Sequence, residues 1–430
     1  MITEVENACR NTITEKMKNV AEIEGLSPEY ILEQVREGRI IIVSGAGREK
    51  SVAIGKGLRT KVNASIGSSS DIIDVDMEIE KACIAQKYGA DTLMELSTGG
   101  DLDLIRREVL KAVEIPVGSV PLYQAAIESI RKYGAVVKMD DEFLFETIEK
   151  QCADGIGFMA IHCGVNLMTI ERLRKQGYRY GGLVSRGGAL MTAWMVHNER
   201  ENPLYDRFDD LLKIMKKYDT VLSLGNGMRA GAISDSTDRA QIQELIINAE
   251  LAEKARQNGV QVMLEGPGHI PIDEIEANVI LQKRVSNEAP FYMLGPIVTD
   301  VSAGYDHVAA AIGASLSSAY GADFICYVTP TEHLGLPFPE DVKEGVIYAR
   351  IATHVGDMIK LNRRDKDLKV ATARRDLDWK GQFDLFIEPE KAREMREKSA
   401  PKGHNACTMC GEYCALKIAN AYFAECEPCR

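Results

Sequence analysis

The sequence predicts an α/β fold: a (β/α)8 barrel with a small N-terminal extension and a cysteine-bearing C-terminal domain. Two observations predict it. Between residues 89 and 330, short apolar, β-branched runs alternate with longer helical patterns, the signature of parallel strands joined by helical crossovers. Eight such runs can be counted, and 430 residues with 45% apolar content suit one barrel of about 250 residues plus terminal additions better than several small domains. Periodicity alone leaves an open doubly wound sheet as the alternative.

Taken in order, residues 1–60 form an extension with a helical start, a turn at GLSPEY, a strand at IIIV (40–43) and a glycine-rich loop, SGAGREKSVAIGKG. Residues 61–345 hold the barrel. Its expected strands are DTLMEL (91–96), VGSVPLY (117–123), GFMAIH (157–162), GGLVSR (181–186), TVLSLGN (220–226), QVMLEG (261–266), FYMLG (291–295) and DFICYV (323–328). Residues 346–430 read as helical and charged up to the PKGHN turn at 401–405, where the composition shifts and a small tethered domain begins.

A net charge of −12 with no basic tract excludes a nucleic-acid surface. The first residues lack the layout of a signal peptide, no run of about 18 apolar residues is present, and the cysteines form no disulfide framework. A reducing cytoplasm is the expected setting.

The most informative stretch is ACTMCGEYC, with Cys407, Cys410 and Cys414. Three thiolates on one tight turn can hold three irons of a [4Fe-4S] cluster and leave the fourth open to a ligand. A zinc ribbon competes, because Cys426 and Cys429 add a second C-x2-C. Cys414 favours the cluster, since a four-thiolate ribbon has no use for a fifth nearby cysteine. Cys9, Cys83, Cys152, Cys163 and Cys326 stand singly among apolar or helical residues and are expected to be small buried hydrophobes.

Barrel chemistry gathers at the C-terminal ends of strands. There the sequence places Met94 and Glu95, Tyr123, His162, then Ser185, Arg186 and Gly187, then Asn226, Gly227, Met228 and Arg229, then Glu265 and His269, then Tyr292, and last His333. SRGG (185–188) and GNGMRAG (225–231) each join flexible glycines to an arginine, as a phosphate site requires; a tight turn alone would also explain the glycines. Glu265 and His162 are the candidates for moving protons. His269 and His333 are placed to share a metal, although a lone loop histidine is more often a hydrogen-bonding residue. Of His197, His307, His354 and His404, His307 in AGYDH is the one expected to face a ligand.

With these motifs in view, from ITEKMKNVA through DTLMELSTGGDL, VPLYQA, SRGG, EGPGHIP, APFYMLGP, GYDH and CYVTPTEHLGLP to CTMCGEYC, the chain resembles the ThiC-like family of noncanonical radical S-adenosylmethionine enzymes. The family is typified by phosphomethylpyrimidine synthase of thiamin biosynthesis. The resemblance implies a (β/α)8 barrel, a [4Fe-4S] cluster on Cys407, Cys410 and Cys414, S-adenosylmethionine, an electron donor, a homodimer, and 5-aminoimidazole ribotide as substrate. It assigns substrate contacts to Ser65, Met94, Tyr123, His162, Ser185, Arg186, Gly187, Asn226, Gly227, Met228, Arg229, Glu265 and Tyr292. It also assigns a divalent metal, zinc or iron, to His269 and His333.

Where thiamin enzymes of this family read NANIG or NTNIG, GDGLRPG or GDGMRPG, and APGYDH, this chain has NASIG, GNGMRAG and SAGYDH. Ser65 stands for an asparagine and Asn226 for an aspartate, which changes hydrogen-bonding reach and charge. Ala230 and Ala303 stand for prolines, which loosens two loops. With GYRYGGLVSRGG and RRDLDWKGQF, these departures resemble the family's 5-hydroxybenzimidazole synthase branch, which turns the same ribotide into a cobamide lower-ligand base. The phosphomethylpyrimidine synthase branch is the alternative, and a zinc-ribbon barrel that only binds a phosphosugar is the remote one.

Overall fold

The computed structural model describes residues 2–45, 47, 50–399 and 403–423, and these fall into two compact units, Met1–Leu361 and Asn362–Arg430. The first unit is built on a closed eight-stranded parallel barrel. A two-stranded antiparallel hairpin precedes it, β1 (Ile40–Val43) and β2 (Val52–Gly55). The barrel strands are β3 (Lys61–Ile66), β4 (Thr92–Glu95), β5 (Val117–Ser119), β6 (Phe158–Ile161), β7 (Val221–Leu224), β8 (Val262–Glu265), β9 (Phe291–Met293) and β10 (Phe324–Cys326), and β10 closes on β3. An open sheet is thereby excluded.

Two strand assignments need correction. GGLVSR is no strand: Gly182 has φ +64, a Cβ on Gly181 would overlap the Gly231 backbone, and Ser185 is already the N-cap of helix Arg186–Asn198. The strand in its stead is β3, KVNASI. Its polar residues alternate with Val62, Ala64 and Ile66, which concealed it from a search for continuous apolar runs. Those polar groups are buried and paired: Lys61 with Glu24 at 3.0 Å, and Asn63 with Thr92 and Tyr292 at 2.8 and 3.0 Å.

Large rings fill the barrel lumen. Tyr292 and Phe324 lie 4.2 Å apart between centroids, and Phe158 meets Phe324 edge-on at 6.0 Å. Gly118, the register partner of Phe158, has no room for a Cβ because that ring occupies the space. The hairpin lies at the opposite end from the strand C-termini. Gln261, just before β8, bonds Ile42 through both its amide atoms, at 2.6 and 3.1 Å.

The expected boundary at residue 346 falls inside helix Pro339–Lys360. That helix is the eighth crossover of the barrel. Asp357 accepts from Thr60 N (2.8 Å) at the foot of β3, and Lys360 donates to Thr60 Oγ1 (2.6 Å), so the element belongs with the strands it seals. The second unit contains helices Asp365–Arg375, Trp379–Leu385, Pro389–Lys398 and Ala415–Phe423. Arg396 stacks 3.4 Å from the Trp379 ring centroid, and the Trp379 indole donates to Asn405 O at 2.8 Å. Among the described residues no helix is long and apolar enough to cross a membrane.

Candidate active site

The C-terminal strand ends gather most of the expected side chains around Arg229. Its charge bears on Tyr123, His162, Glu244, Glu265 and Glu332. Arg186 completes the cationic face, with its guanidinium 5.0 Å from the Tyr123 ring centroid. Ser185 caps helix Arg186–Asn198, accepting from Gly188 N at 3.1 Å, so the SRGG amides sit at a helix N-terminus, where backbone N–H groups and dipole favour an anion. The two glycine loops are packed together: a Cβ on Gly188 would overlap the Gly227 carbonyl, and one on Gly187 would overlap the His162 ring. Only glycine permits that approach.

His162 is buried, and that burial, reinforced by Arg229, pushes its pKa down to about 3. The ring is therefore neutral at physiological pH. Its Nε2 lies 3.3 Å from Ser185 Oγ, while its Nδ1 is buried without a partner. In the ligand-free site His162 is a neutral hydrogen-bonding group. Glu265, the other candidate for moving protons, is held at the strand end. It accepts from Ser223 Oγ (3.0 Å) and Asn226 N (3.2 Å), and burial raises its pKa while Arg229 opposes the rise. Glu95, also raised by burial, accepts from Ser97 N at 2.7 Å.

Ser65, Met94 and Tyr292 meet in the lumen. Ser65 Oγ is 3.3 Å from Cys326 Sγ, Ser65 pairs in register with Met94, and Tyr292 is joined to the cluster by Asn63. Two of the expected contact residues have protein partners. Met228 is fully buried in the core, its carbonyl held by Arg179 at 2.8 Å, and the Asn226 amide turns outward to Glu244 at 3.0 Å. Sequence reasoning missed Glu244; the signal was available, since Gln241, Glu244 and Asn248 interrupt the buried stripe of helix Arg239–Gln257.

His269 and His333 converge, with Nε2 atoms 3.2 Å apart. Each ring is oriented from behind, His269 Nδ1 by Asp300 at 2.7 Å and His333 Nδ1 by Asp306 at 3.0 Å. In the tautomers that donate Nδ1–H to the carboxylates, two Nε2 lone pairs face each other as a donor pair that a cation can share, while among the described residues no third His, Cys, Asp or Glu side chain joins them. His307 does not join them: its ring lies 4.5 Å from that of Tyr348, with Nε2 3.5 Å from Glu344.

In the second unit Cys407, Cys410 and Cys414 lie on one turn, tied by Gly411 N to Cys407 O and Tyr413 N to Cys410 O, both 3.0 Å. All three are free thiols. Among the described residues no three His, Cys, Asp or Glu side chains already converge on one metal-sized point. The donor set nevertheless suits an iron–sulfur cluster: three unpaired soft ligands within eight residues, with Cys414 buried and Cys410 exposed. Cys426 and Cys429 lie outside the described residues. Cys152 and Cys163 are the expected buried hydrophobes, whereas Cys9 and Cys83 are exposed on the outer faces of their helices.

Comparison with known proteins agrees in family and divides in name. The chain is 60% identical over 427 residues to the 5-hydroxybenzimidazole synthase of Geobacter metallireducens, covering 99% of this chain and 98% of that protein. It is 61% identical over 420 residues to the phosphomethylpyrimidine synthase of Methanoculleus marisnigri, covering 97% and 99%. It is also 60% identical over 427 residues to the 5-hydroxybenzimidazole synthase of Geobacter sulfurreducens. Such matches remove the zinc-ribbon binding protein from consideration. The profile of the radical SAM ThiC family matches residues 3–421, and with the barrel, its arginine-lined mouth and the cysteine turn on the page, the chain belongs to that family of enzymes.

Proposed function

We propose that this enzyme converts 5-aminoimidazole ribotide to 5-hydroxybenzimidazole, the base of a cobamide lower ligand, in an anaerobic cytoplasm. The observation that carries the choice is Ser65, a short hydroxyl on the lumen wall beside Cys326, Asn63 and Tyr292, where the thiamin branch places an amide. Phosphomethylpyrimidine synthase is the second reading, favoured by the equally similar relative from Methanoculleus marisnigri.

In this proposal Arg186, Arg229 and the amides of the SRGG loop bind the ribotide phosphate, one of them at a helix N-terminus. The Tyr123 ring braces Arg186. His162 offers a neutral hydrogen bond, Glu265 exchanges protons at its carboxylate, and Tyr292, Met94 and Ser65 line the floor. Cys407, Cys410 and Cys414 would hold the [4Fe-4S] cluster, which when bound supplies, with an external electron donor, the reductive cleavage of S-adenosylmethionine. His269 and His333 would hold a divalent metal, zinc or iron, that orients anionic oxygens. With two protein ligands, its affinity depends on what else binds. The working form is a homodimer.

Product analysis tests the proposal. Anaerobic, reduced, reconstituted enzyme given 5-aminoimidazole ribotide and S-adenosylmethionine should yield a fluorescent phenolic benzimidazole. A phosphorylated pyrimidine would establish the second reading, and neither product would remove both.

A further inference from the structure

Glu244 lies on helix Arg239–Gln257, on the outer side of the barrel wall, and no step above uses it. Its side chain is fully buried, and each of its hydrogen-bond neighbours is a donor: Gly227 N at 2.7 Å, Met228 N at 2.7 Å and Asn226 Nδ2 at 3.0 Å. A carboxylate only accepts, so all three are satisfied at once. The Asn226 amide orientation follows, since its nitrogen must face Glu244. Its Oδ1 is buried without a partner, as is Gln241 Oε1, and both residues line a small cavity of about 10 Å³, room for one water, together with Asn278 and Glu265. Asn226 thus serves the outer helix and this cavity, while Arg229, three residues on, has its guanidinium tied back to Asn226 O at 3.1 Å.

We infer that Glu244 is the positioning residue of the 225–229 loop, holding it as a buried carboxylate that accepts from Gly227 N, Met228 N and the neutral amide of Asn226. The ribotide in its test rests on the proposed function; the loop clamp does not. The charges acting on Glu244 are Arg229, which favours the anion, and Glu265, which disfavours it. Helix Leu167–Gln176 packs against the Glu244 helix and sends Arg172 to Gln243. Burial pushes the Glu244 carboxyl up, but with three donors on its two oxygens it stands here as the carboxylate; a second acid beside it would hold a shared proton through the neutral range.

The test is Asn226→Asp in the full-length chain, compared with Asn226→Ala and with Asn226→Asp/Glu244→Gln. Affinity for 5-aminoimidazole ribotide is measured by anaerobic calorimetry from pH 6 to 9, and the urea midpoint is followed over the same range without ligand. Two carboxylates about 3 Å apart share one proton. Relative to the unmodified enzyme, Asn226→Asp should lose stability as pH rises, up to the slope of one linked proton, a change of about tenfold in the unfolding constant per pH unit, while its ribotide affinity falls by a factor that varies little with pH, because the shared proton is present before and after binding. Asn226→Ala should lower the urea midpoint by an amount independent of pH, and Glu244→Gln in the Asn226→Asp chain should flatten the slope. An Asn226→Asp effect on the urea midpoint that does not vary with pH, or a slope that survives Glu244→Gln, overturns the inference. Should the double variant not fold, the contrast between Asp and Ala at 226 decides. Should the unmodified enzyme bind no ribotide, the functional proposal fails, and the ligand-free urea slopes still judge the clamp.

Discussion

Asp219→Asn should stabilise the barrel at neutral pH and leave it unchanged or slightly weaker in acid. Asp219 ends helix Phe208–Tyr218 in a left-handed conformation, φ 52, just ahead of β7. Its carboxylate accepts two long hydrogen bonds, from Glu4 N and Gln261 Nε2, both 3.3 Å. Burial raises its pKa to about 7; Lys16 opposes the rise and Glu4 adds to it. The folded chain therefore holds this proton more tightly than the unfolded chain, so the associated stability is complete below about pH 4 and is lost as pH rises through about 7. The interval from 3.8 to about 7 corresponds to about 4 kcal/mol at 1.36 kcal/mol per unit, an upper bound. Asparagine tolerates the left-handed conformation but must face one of the two donors with its own amide, which costs about 1 kcal/mol at every pH. Urea unfolding under argon at pH 5 and pH 8 should then give Asp219→Asn a relative gain of about 2–3 kcal/mol at the higher pH. Other titrating groups are common to both proteins and cancel in the difference. Parallel stability curves would show that Asp219 is ionised at no cost, and the argument from its burial would be wrong.

Other outcomes follow from the same geometry. Asp300→Asn and Asp306→Asn remove the groups that orient His269 and His333, and each should weaken zinc or ferrous-ion binding by about 10–100-fold in calorimetry; an unmodified chain that takes up no metal would mean the rings only bond to each other. Arg229→Gln should cost roughly 10–100-fold in ribotide affinity through a lost charge-assisted contact, and should raise the His162 pKa, because the Arg229 charge helps depress it; titration of the His162 resonance checks the second effect. Ser65→Asn should shift the product mixture away from the benzimidazole, and unchanged product with unchanged rate would remove the reason for preferring that branch.

The barrel could be read from the sequence because both faces of most of its strands are apolar, and Val117, Phe158, Val221 and Val262 stand in uninterrupted buried runs. β3 escaped because its lumen-facing positions are Lys61, Asn63 and Ser65, whose polarity is met by Glu24, Thr92, Tyr292 and Cys326 from distant parts of the chain. GGLVSR misled for the converse reason: Leu183 and Val184 look like strand residues, but the flanking glycines bend the chain into a helix cap. The strand-end rule located Tyr123, His162, Arg229 and Glu265 because position along a barrel strand fixes which end a side chain occupies. It could not say which way each one points.

That directional information explains Asn226. Position placed it at the barrel mouth beside Arg229, and the natural expectation was contact with the ligand. Its direction is set by a carboxylate 18 residues later in sequence, on a helix that a strand-by-strand reading treats as outer packing. A buried glutamate is costly unless donors surround it, and two loop amides together with Asn226 supply those donors. The same requirement therefore fixes three things at once: the helix must carry Glu244, the loop must expose consecutive N–H groups at Gly227 and Met228, and position 226 must donate. An aspartate at 226 keeps the volume and reverses the last condition, so the two side chains can coexist only by sharing a proton. The stability cost of that exchange should then vary with pH, whereas that of an exchange at Ser65, whose side chain meets Asn63 and Cys326, should not.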